Sequence, residues 1–183
     1  GDTDMPAKSI DIPGRRAELA SGRCLALCSL LSLLGGCFLD EDGNGRRINE
    51  VRRVAEFTRV DADGAFDVAI EQGDEIAVEI SIDSNLVELI NTRVVKGTLE
   101  IDSDRPIGDT VTGPHVIVTM PSLRRAGLSG SGVLSLTGID TDQPLSLDLD
   151  GSGDVHFEGT VVELAMHVSG SGDAELEGDA ERI

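Results

Sequence analysis

The sequence predicts an all-β protein in which a repeat of about 20 residues forms one coil of a solenoid. Short apolar runs alternate with polar residues at a period of two, and no stretch keeps a helical period. The phrase Gly-Ser-Gly occurs three times, and its first glycines, Gly130, Gly151 and Gly170, lie 21 and 19 residues apart. Such a spacing is typical of solenoids, in which each repeat makes one coil.

Each repeat contains two alternating runs that keep the same register from coil to coil. The first run follows the Gly-Ser-Gly phrase, and its apolar positions are Leu134 and Leu136, Val155 and Phe157, and Ala174 and Leu176. The second run precedes the next phrase, and its apolar positions are Leu145, Leu147 and Leu149, then Leu164, Met166 and Val168. Because alternate residues of a strand face the same way, this register predicts a common core along the stack.

The Gly-Ser-Gly phrase is interpreted as a corner between strands. Glycine is favoured at tight corners because it accepts positive φ without a Cβ clash. The predicted corner residues are Gly130 and Gly132, Gly151 and Gly153, and Gly170 and Gly172. A second corner is predicted where the first run of each coil ends, at Gly138, Gly159 and Gly178.

Two ligand-binding interpretations of the phrase are rejected. A phosphate-binding loop requires a helix whose N-terminus faces the anion, but a strand follows each phrase here, so we expect no nucleotide. A calcium-binding β-roll requires its aspartate one residue later than Asp154 and Asp173. The phrase therefore predicts architecture rather than a ligand.

The segment before the repeats also reads as strands. Alternating apolar residues occupy two successive runs, Phe66, Val68 and Ile70, then Ile76, Val78 and Ile80. The intervening Gln72-Gly73-Asp74 predicts a hairpin turn between the two strands. A short helical turn is expected after them, with Asn85 as its N-cap and Glu88 three residues on.

The first 36 residues have the layout of a secretory signal peptide. A basic leader precedes an apolar run, Cys24–Leu34, that is too short to span a bilayer as a helix. The run ends in Leu-Gly-Gly before Cys37, which resembles the lipobox of bacterial lipoproteins and implies a lipid on that cysteine. An ordinary signal or membrane anchor with an incidental cysteine is the alternative. Since Phe38 follows Cys37 in place of the aspartate that retains lipoproteins at the inner membrane, that resemblance implies the outer membrane.

Residues 37–52 are predicted to be a solvated tether between the lipid and the folded domain, which we place at 53–183. The tether contains the first half of an EF-hand phrase, formed by Asp40, Asp42, Asn44 and Gly45. The bidentate glutamate of an EF-hand would fall at Val51, so we expect no calcium loop there.

Together these segments resemble a known family, the bacterial GIN domain described as a head domain of autotransporter adhesins. The resemblance rests on FTRVDADGAFDVAIEQGDEIAVEISIDSNLVELINTRVVKGTLEI, on VTMPSL and on the Gly-Ser-Gly repeats, and it covers about Arg53 to Ile183. It implies a right-handed β-helix-like solenoid on an exported protein, with no established catalytic residues. Members usually carry further Gly-Ser-Gly coils, so the resemblance also implies that the domain continues beyond Ile183.

Charge and composition exclude some partners. The formal net charge is −19, the pI is about 4.3, and Trp and Tyr are absent. This charge opposes nucleic-acid binding, which needs a surplus of Lys and Arg. We interpret the histidines as surface residues, because the spacing of the sequence suggests no serine or cysteine nucleophile near them; they are His115, His156 and His167. We also expect no cofactor.

Acidic residues supply weak candidates for a metal site. Stacked coils would place Asp154 beside Asp173 and Glu158 beside Glu177, about 4.8 Å apart. A divalent cation could bridge such carboxylates, whereas the simpler interpretation is a solvated acidic face that opposes aggregation. We favour the acidic face and predict no metal.

Two functions remain open at the level of sequence. The first is a non-enzymatic, lipid-anchored interaction module of the cell envelope, acting in adhesion on an unknown protein or envelope polysaccharide. The second is a pectin-lyase-like protein that binds or degrades polysaccharide, which would need cations beside acidic sugars. From Leu128 to Ile183 the only Lys or Arg is Arg182, which favours the first function.

Overall fold

The computed structural model describes residues 40–182, which form an all-β fold, as the sequence predicts. The strands are β1 Arg47–Arg52, β2 Arg59–Gly64, β3 Asp67–Gln72, β4 Ala77–Asp83, β5 Ile90–Val95, β6 Thr98–Ser103, β7 His115–Met120, β8 Arg125–Gly130, β9 Val133–Thr141, β10 Leu145–Gly151, β11 Asp154–Gly170 and β12 Ala174–Arg182. A 3₁₀ turn covers Val87–Leu89. The predicted signal peptide and Cys37 lie outside the described residues. Between residues 40 and 182, no helix has the length and apolar character needed to cross a membrane.

Parallel pairing organises most of the strands into two ladders around one core. The front ladder runs β6–β2–β8–β10 and ends in residues 164–170 of β11. The back ladder runs β7–β3–β9, continues through residues 154–163 of β11 and ends at β12. Because β11 belongs to both ladders, the strands follow one hydrogen-bonded path that nearly closes around the core.

The Gly-Ser-Gly phrases stack in register between the two ladders. Gly130 lies opposite Gly151, and Gly151 lies opposite Gly170. A fourth member of this column, Gly64, lies opposite Gly130 and carries no Gly-Ser-Gly phrase. The four residues share nearly the same positive φ, between 127° and 135°, a backbone conformation that favours glycine.

The second glycine of each phrase serves a different need. Gly132, Gly153 and Gly172 have no positive φ. A Cβ on any of them would lie less than 3.0 Å from a carbonyl oxygen of the preceding coil, which real Cβ atoms essentially never do. These positions require glycine because adjacent coils approach closely there.

The unequal repeat lengths are absorbed at two places. The pairing of β9 with β11 shifts between Glu158 and Gly159, so that Gly159 lies opposite Ile139 and Gly138 becomes a bulge. The coil that begins at Gly130 has one further residue more than the coil that begins at Gly151, and this residue lies in the loop 142–144 before β10. The expectation that Gly138, Gly159 and Gly178 end their strands was wrong, since β9, β11 and β12 continue past them.

Antiparallel strands at one end depart from a simple stack of coils. Strand β4 pairs with β7 and β1 with β4, whereas β5 pairs with β6. The turn Lys96-Gly97, with both φ angles positive, makes the β5–β6 connection a tight hairpin. The hairpin predicted at Gln72-Gly73-Asp74 was wrong, because β7 inserts between β3 and β4 and pairs with both.

The segment predicted as a tether is folded from Arg47 onward. Strand β1 pairs with β4 along its whole length, and the loop before it is fixed by side chains. Asp42 accepts a hydrogen bond from the backbone N–H of Asp109 at 3.0 Å, and Asn44 donates its backbone N–H to Asn85 at 2.9 Å. Asn85 therefore does not cap the 3₁₀ turn, whose N-cap is Leu86. The tether prediction was wrong for these residues because distant loops supply their hydrogen-bond partners.

The core contains the predicted apolar positions of the middle coils. Fully buried side chains from both ladders include Phe66, Ile70, Leu134, Leu136, Leu147 and Leu149. The core thins towards the end of the stack, where Val168 and Leu176 are exposed. The middle coils therefore hold most of the hydrophobic stabilisation.

Candidate interaction face

The outer side of the front ladder presents one continuous row of polar side chains. Parallel pairing places Asp61 beside Gly127, Gly127 beside Asp148, and Asp148 beside His167. Glu100 extends the row beyond Asp61. These residues come from five strands, yet they occupy equivalent positions, so their side chains face solvent on the same side.

Gly127 opens a notch in the middle of this row. It is the one position of the row without a side chain, and a Cβ there would lie 2.7 Å from Asp61 Oδ1. The notch forms part of a groove of about 590 Å³. We call this surface the front groove; it is lined by Asp61, Asp63, Arg93, Glu100, Asp102, Arg125, Gly127, Ser129, Asp148, Asp150, His167 and Ser169, with backbone and apolar contributions from Ala62, Ile101, Leu128 and Leu149.

Two arginines form ion pairs with carboxylates of the front groove. Arg93 on β5 reaches Glu100 and Asp102 of β6, each at 2.8 Å. Arg125 reaches Asp148 at 2.9 Å, and the Ser146 hydroxyl donates a second hydrogen bond to the same carboxylate oxygen at 3.3 Å. These cross-strand contacts hold the side chains of the groove in one arrangement.

The front groove is acidic in spite of its arginines. Attraction to Asp102 is the largest cause that raises the pKa of Arg93 above its ordinary value, so this guanidinium stays charged. Asp61, Asp63 and Asp150 make no ion pair within residues 40–182. Their negative charge faces the groove without a compensating cation, which favours cationic or hydrogen-bond-donating ligands.

The histidines lie in three separate places. His167 lines the front groove. On the outer side of the back ladder, His156 Nδ1 lies 3.3 Å from Glu175 Oε2, and His115 lies near Ser135 at the other end of the same face. No group of three or more His, Cys, Asp or Glu side chains that could hold a metal ion occurs among residues 40–182.

The four acids named as weak metal candidates lie on the outer side of the back ladder or at its corner. Glu158 pairs with Glu177, both of them exposed. Asp154 accepts a hydrogen bond from the backbone N–H of Asp173 at 3.1 Å. Asp67 makes the same contact two layers earlier in the stack, with the N–H of Val133 at 3.2 Å. Asp154 therefore serves to join coils.

Sequence reasoning identified Asp148 and His167 as outward residues but missed the groove. Asp61 and Arg93 come from segments far away along the chain, and only the nonlocal strand order brings them beside the repeats. A signal was present at Gly127, where a glycine occupies an outward strand position without any turn. A strand glycine often marks a place where another molecule or backbone approaches.

Residues 40–182 thus form an all-β fold with an open, charged groove on one ladder face. The chain belongs to the family described as "Putative auto-transporter adhesin, head GIN domain", whose profile matches residues 56–183. This match confirms the family resemblance found in the sequence.

Solved structures with the same fold come from Parabacteroides and Bacteroides species. A protein of Parabacteroides merdae described as a "putative adhesin" is 21% identical, with a TM-score of 0.68, and the match covers 75% of this chain and 58% of that one. A protein of Parabacteroides distasonis described as lipid binding is 22% identical, with a TM-score of 0.70, covering 79% and 63%. A protein of Bacteroides fragilis described as a "putative adhesin" is 25% identical, with a TM-score of 0.68, covering 76% and 66%. The chain thus spans about three fifths of the length of these structures, and no curated protein matches it.

Proposed function

We propose that this chain is a non-enzymatic, exported lipoprotein whose stacked coils form an interaction module of the cell envelope, acting in adhesion. Cys37 would carry the lipid and hold the domain at the outer membrane. The coils would form a right-handed β-solenoid, the hand that parallel crossover connections nearly always adopt. Adhesion is supported by the description of the family and by the Bacteroides fragilis neighbour described as a "putative adhesin".

The front groove is the observation that carries this proposal. Its charged side chains are already held by cross-strand pairs, as Arg93 and Arg125 illustrate. A surface whose side chains are ordered before binding loses less conformational entropy when a partner arrives. The groove is also open to solvent along the ladder face, which suits contact with a protein or polymer surface better than enclosure of a small substrate.

The arrangement of cations argues for recognition over catalysis. A lyase acting on acidic sugars needs free cations to stabilise the sugar carboxylate. Arg93 and Arg125 both bind carboxylates of the chain itself. The acidic residues that remain unpaired would repel an anionic polysaccharide.

A pectin-lyase-like function on polysaccharide is the second candidate, and one observation favours it. Strand pairing brings Arg93 and Arg125 to the same face as the coils, although the repeats themselves carry almost no cations. A screen of envelope polysaccharides that measures both binding and the appearance of cleaved product separates the two functions. Binding without cleavage agrees with the interaction module, and cleavage abolished by Arg125→Ala would establish the enzyme.

The interaction module is tested in cells that produce the wild-type chain or Cys37→Ser. We expect the wild-type protein in the outer-membrane fraction and the variant outside it, because the variant cannot accept the lipid and therefore keeps its signal peptide. Cells with the wild-type protein should attach to envelope-coated surfaces, and purified protein that lacks residues 1–37, added in excess, should compete with that attachment. Attachment that is insensitive both to Cys37→Ser and to the competitor would contradict the proposal.

A further inference from the structure

Three exposed basic residues lie together where β2 and β8 begin, next to Arg125 of the front groove. Arg59 is the first residue of β2, Arg124 directly precedes β8, and Lys96 lies in the turn between β5 and β6. None of the three forms an ion pair with another residue between 40 and 182. On a chain with a formal net charge of −19 they form a local surface of the opposite sign, which we call the basic corner.

Backbone contacts hold the three segments of the basic corner side by side. The N–H of Thr58 donates to the carbonyl of Gly97 at 3.1 Å, and the N–H of Arg124 donates to the carbonyl of Thr58 at 2.8 Å. The Arg59 guanidinium donates to the carbonyl of Lys96. The three cations therefore project from adjacent positions that the sheet itself fixes.

Strand register places a fourth cation beside them. Arg59 lies directly opposite Arg125 in the parallel pair of β2 and β8, and neighbouring strands are about 4.8 Å apart. Like charges in such a pair are destabilising. Arg125 binds Asp148 through Nε at 2.9 Å, and its two terminal nitrogens have no partner in the described part of the chain. An anion between the two guanidinium groups would remove their repulsion and satisfy these donors.

The number of cations favours a phosphate group over a carboxylate. A phosphate monoester carries a charge of about −1.5 to −2 at neutral pH and has three acceptor oxygens. A carboxylate carries one charge on two oxygens. Guanidinium groups bind phosphate oxygens in a bidentate manner. Three unpaired cations beside the free nitrogens of Arg125 thus match the charge and the acceptors of a monoester.

The surroundings of the basic corner restrict the rest of the ligand. A cleft of about 760 Å³ adjoins the corner and is lined by the hydroxyl-bearing residues Thr58 and Ser122 and by Gly97. Arg59 Nη2 lies 3.7 Å from a Cβ placed on Gly97, so the guanidinium stands at the cleft. The lining also includes three carboxylates, those of Glu56, Asp74 and Glu75. A neutral polyol therefore fits this cleft, whereas a second anionic group is repelled.

We propose that the basic corner binds the phosphate group of a small polyol monoester, whose polyol part lies in the adjoining cleft. Arg59 and Arg125 hold the phosphate between them, and Lys96 and Arg124 supply the remaining positive charge. The site is separate from the notch at Gly127, and it depends neither on a lipid at Cys37 nor on adhesion. Free phosphate and a glycerophosphate headgroup share the chemistry that the corner recognises, and the experiment separates them.

Nuclear magnetic resonance titration of the full chain tests the proposal with three probes at equal ionic strength: inorganic phosphate, glycerol 3-phosphate and acetate. We expect saturable shifts of the backbone amide signals of Arg59, Gly97 and Arg124 with both phosphates and none with acetate. Glycerol 3-phosphate should bind more tightly, because only its glycerol part can occupy the cleft; the reverse order would contradict the role of the cleft and assign the corner to free phosphate. Absence of saturable shifts at these amides, or an equal response to acetate, would overturn the proposal.

A matched pair of variants separates the corner from the overall charge. Arg124→Gln and Arg46→Gln each remove one positive charge from an exposed side chain that forms no ion pair within residues 40–182, so both should fold. Arg46 lies before β1, away from the basic corner. Arg124→Gln should weaken the binding of glycerol 3-phosphate at least about tenfold, the effect of losing one charge-assisted contact. Arg46→Gln should leave it unchanged, and equal affinities of the two variants would overturn the proposal.

Discussion

Replacing Gly153 with alanine tests whether close stacking of the coils holds this fold together. Gly153 lies in an interior coil, between Gly132 of the coil before and Gly172 of the coil after. Its φ is not positive, so alanine meets no backbone penalty there. The added Cβ would nevertheless overlap the Gly132 carbonyl oxygen and lie 2.8 Å from Leu128 Cδ2. The substitution therefore tests whether glycine is needed for its small size, separately from any need for a positive φ.

The magnitude follows from three contributions. Overpacking of this kind costs about 1–3 kcal/mol. Separating the coils also weakens two backbone hydrogen bonds, from Gly153 N to Gly130 O at 3.1 Å and from Asp154 N to Gly132 O at 3.0 Å, each with a net contribution of about 1 kcal/mol. Removing a glycine stabilises by about 0.4–1 kcal/mol through the unfolded chain. The expected net loss in the free energy of unfolding is about 2–4 kcal/mol.

Urea denaturation followed by circular dichroism measures this loss, with Gly138→Ala as the matched control. Gly138 has a φ of 68° and no atom within 4 Å of an added Cβ, so its substitution costs only the backbone penalty of about 1–2 kcal/mol less the same unfolded-state gain. The slopes of the two transitions should agree with that of the wild type, so that midpoints can be compared. If Gly153→Ala destabilised no more than Gly138→Ala, close stacking would not be what requires glycine at the corner.

Three further substitutions test other parts of the structure. Leu136→Ala, in the buried core, should lower the free energy of unfolding by about 2–5 kcal/mol in the same urea assay, and a loss below about 1 kcal/mol would place Leu136 outside the core. Asp154→Ala removes the acceptor of the Asp173 N–H and should lower the free energy of unfolding by about 1 kcal/mol. Calcium should raise the Tm of neither the wild type nor this variant. A calcium-dependent rise in the Tm of the wild type alone would mean that Asp154 binds the ion. Arg125→Ala breaks an exposed pair with Asp148 and should cost less than about 1 kcal/mol, an effect that high salt removes; a loss above 2 kcal/mol would show that the front groove is a structural element.

The repeats could be predicted from the sequence because their pattern is local. Period-two alternation and the Gly-Ser-Gly phrases are sufficient to predict that Leu147 lies in the core and that Gly151 and Gly170 stand side by side in the stack. The coil formed by β2 and β3 could not be recognised as a repeat, because Gly64-Ala65-Phe66 stands in place of the Gly-Ser-Gly phrase. Phe66 takes the place of the second glycine, and its carbonyl is the one that Gly132 approaches.

The order of the strands could not be predicted, because it depends on nonlocal pairing. Nothing near β7 indicates that it inserts between β3 and β4, since both pairings join segments tens of residues apart. The front groove depends on the same order. Asp61 reaches it because β2 lies beside β8, and Arg93 reaches it because β6 and β5 follow β2 in the strand order.

Filling the notch at Gly127 tests most directly whether the front groove is the recognition surface. Gly127→Val places a strand-compatible side chain at a position where the one close contact of the added Cβ is the flexible carboxylate of Asp61, so we expect the fold to persist. Ser135→Val makes a comparable change on the outer side of the back ladder. Attachment of cells that carry each variant is measured on an envelope-coated surface at equal amounts of surface protein. The account predicts that Gly127→Val loses most of the attachment and that Ser135→Val keeps it; equal attachment by both variants and the wild type would contradict it.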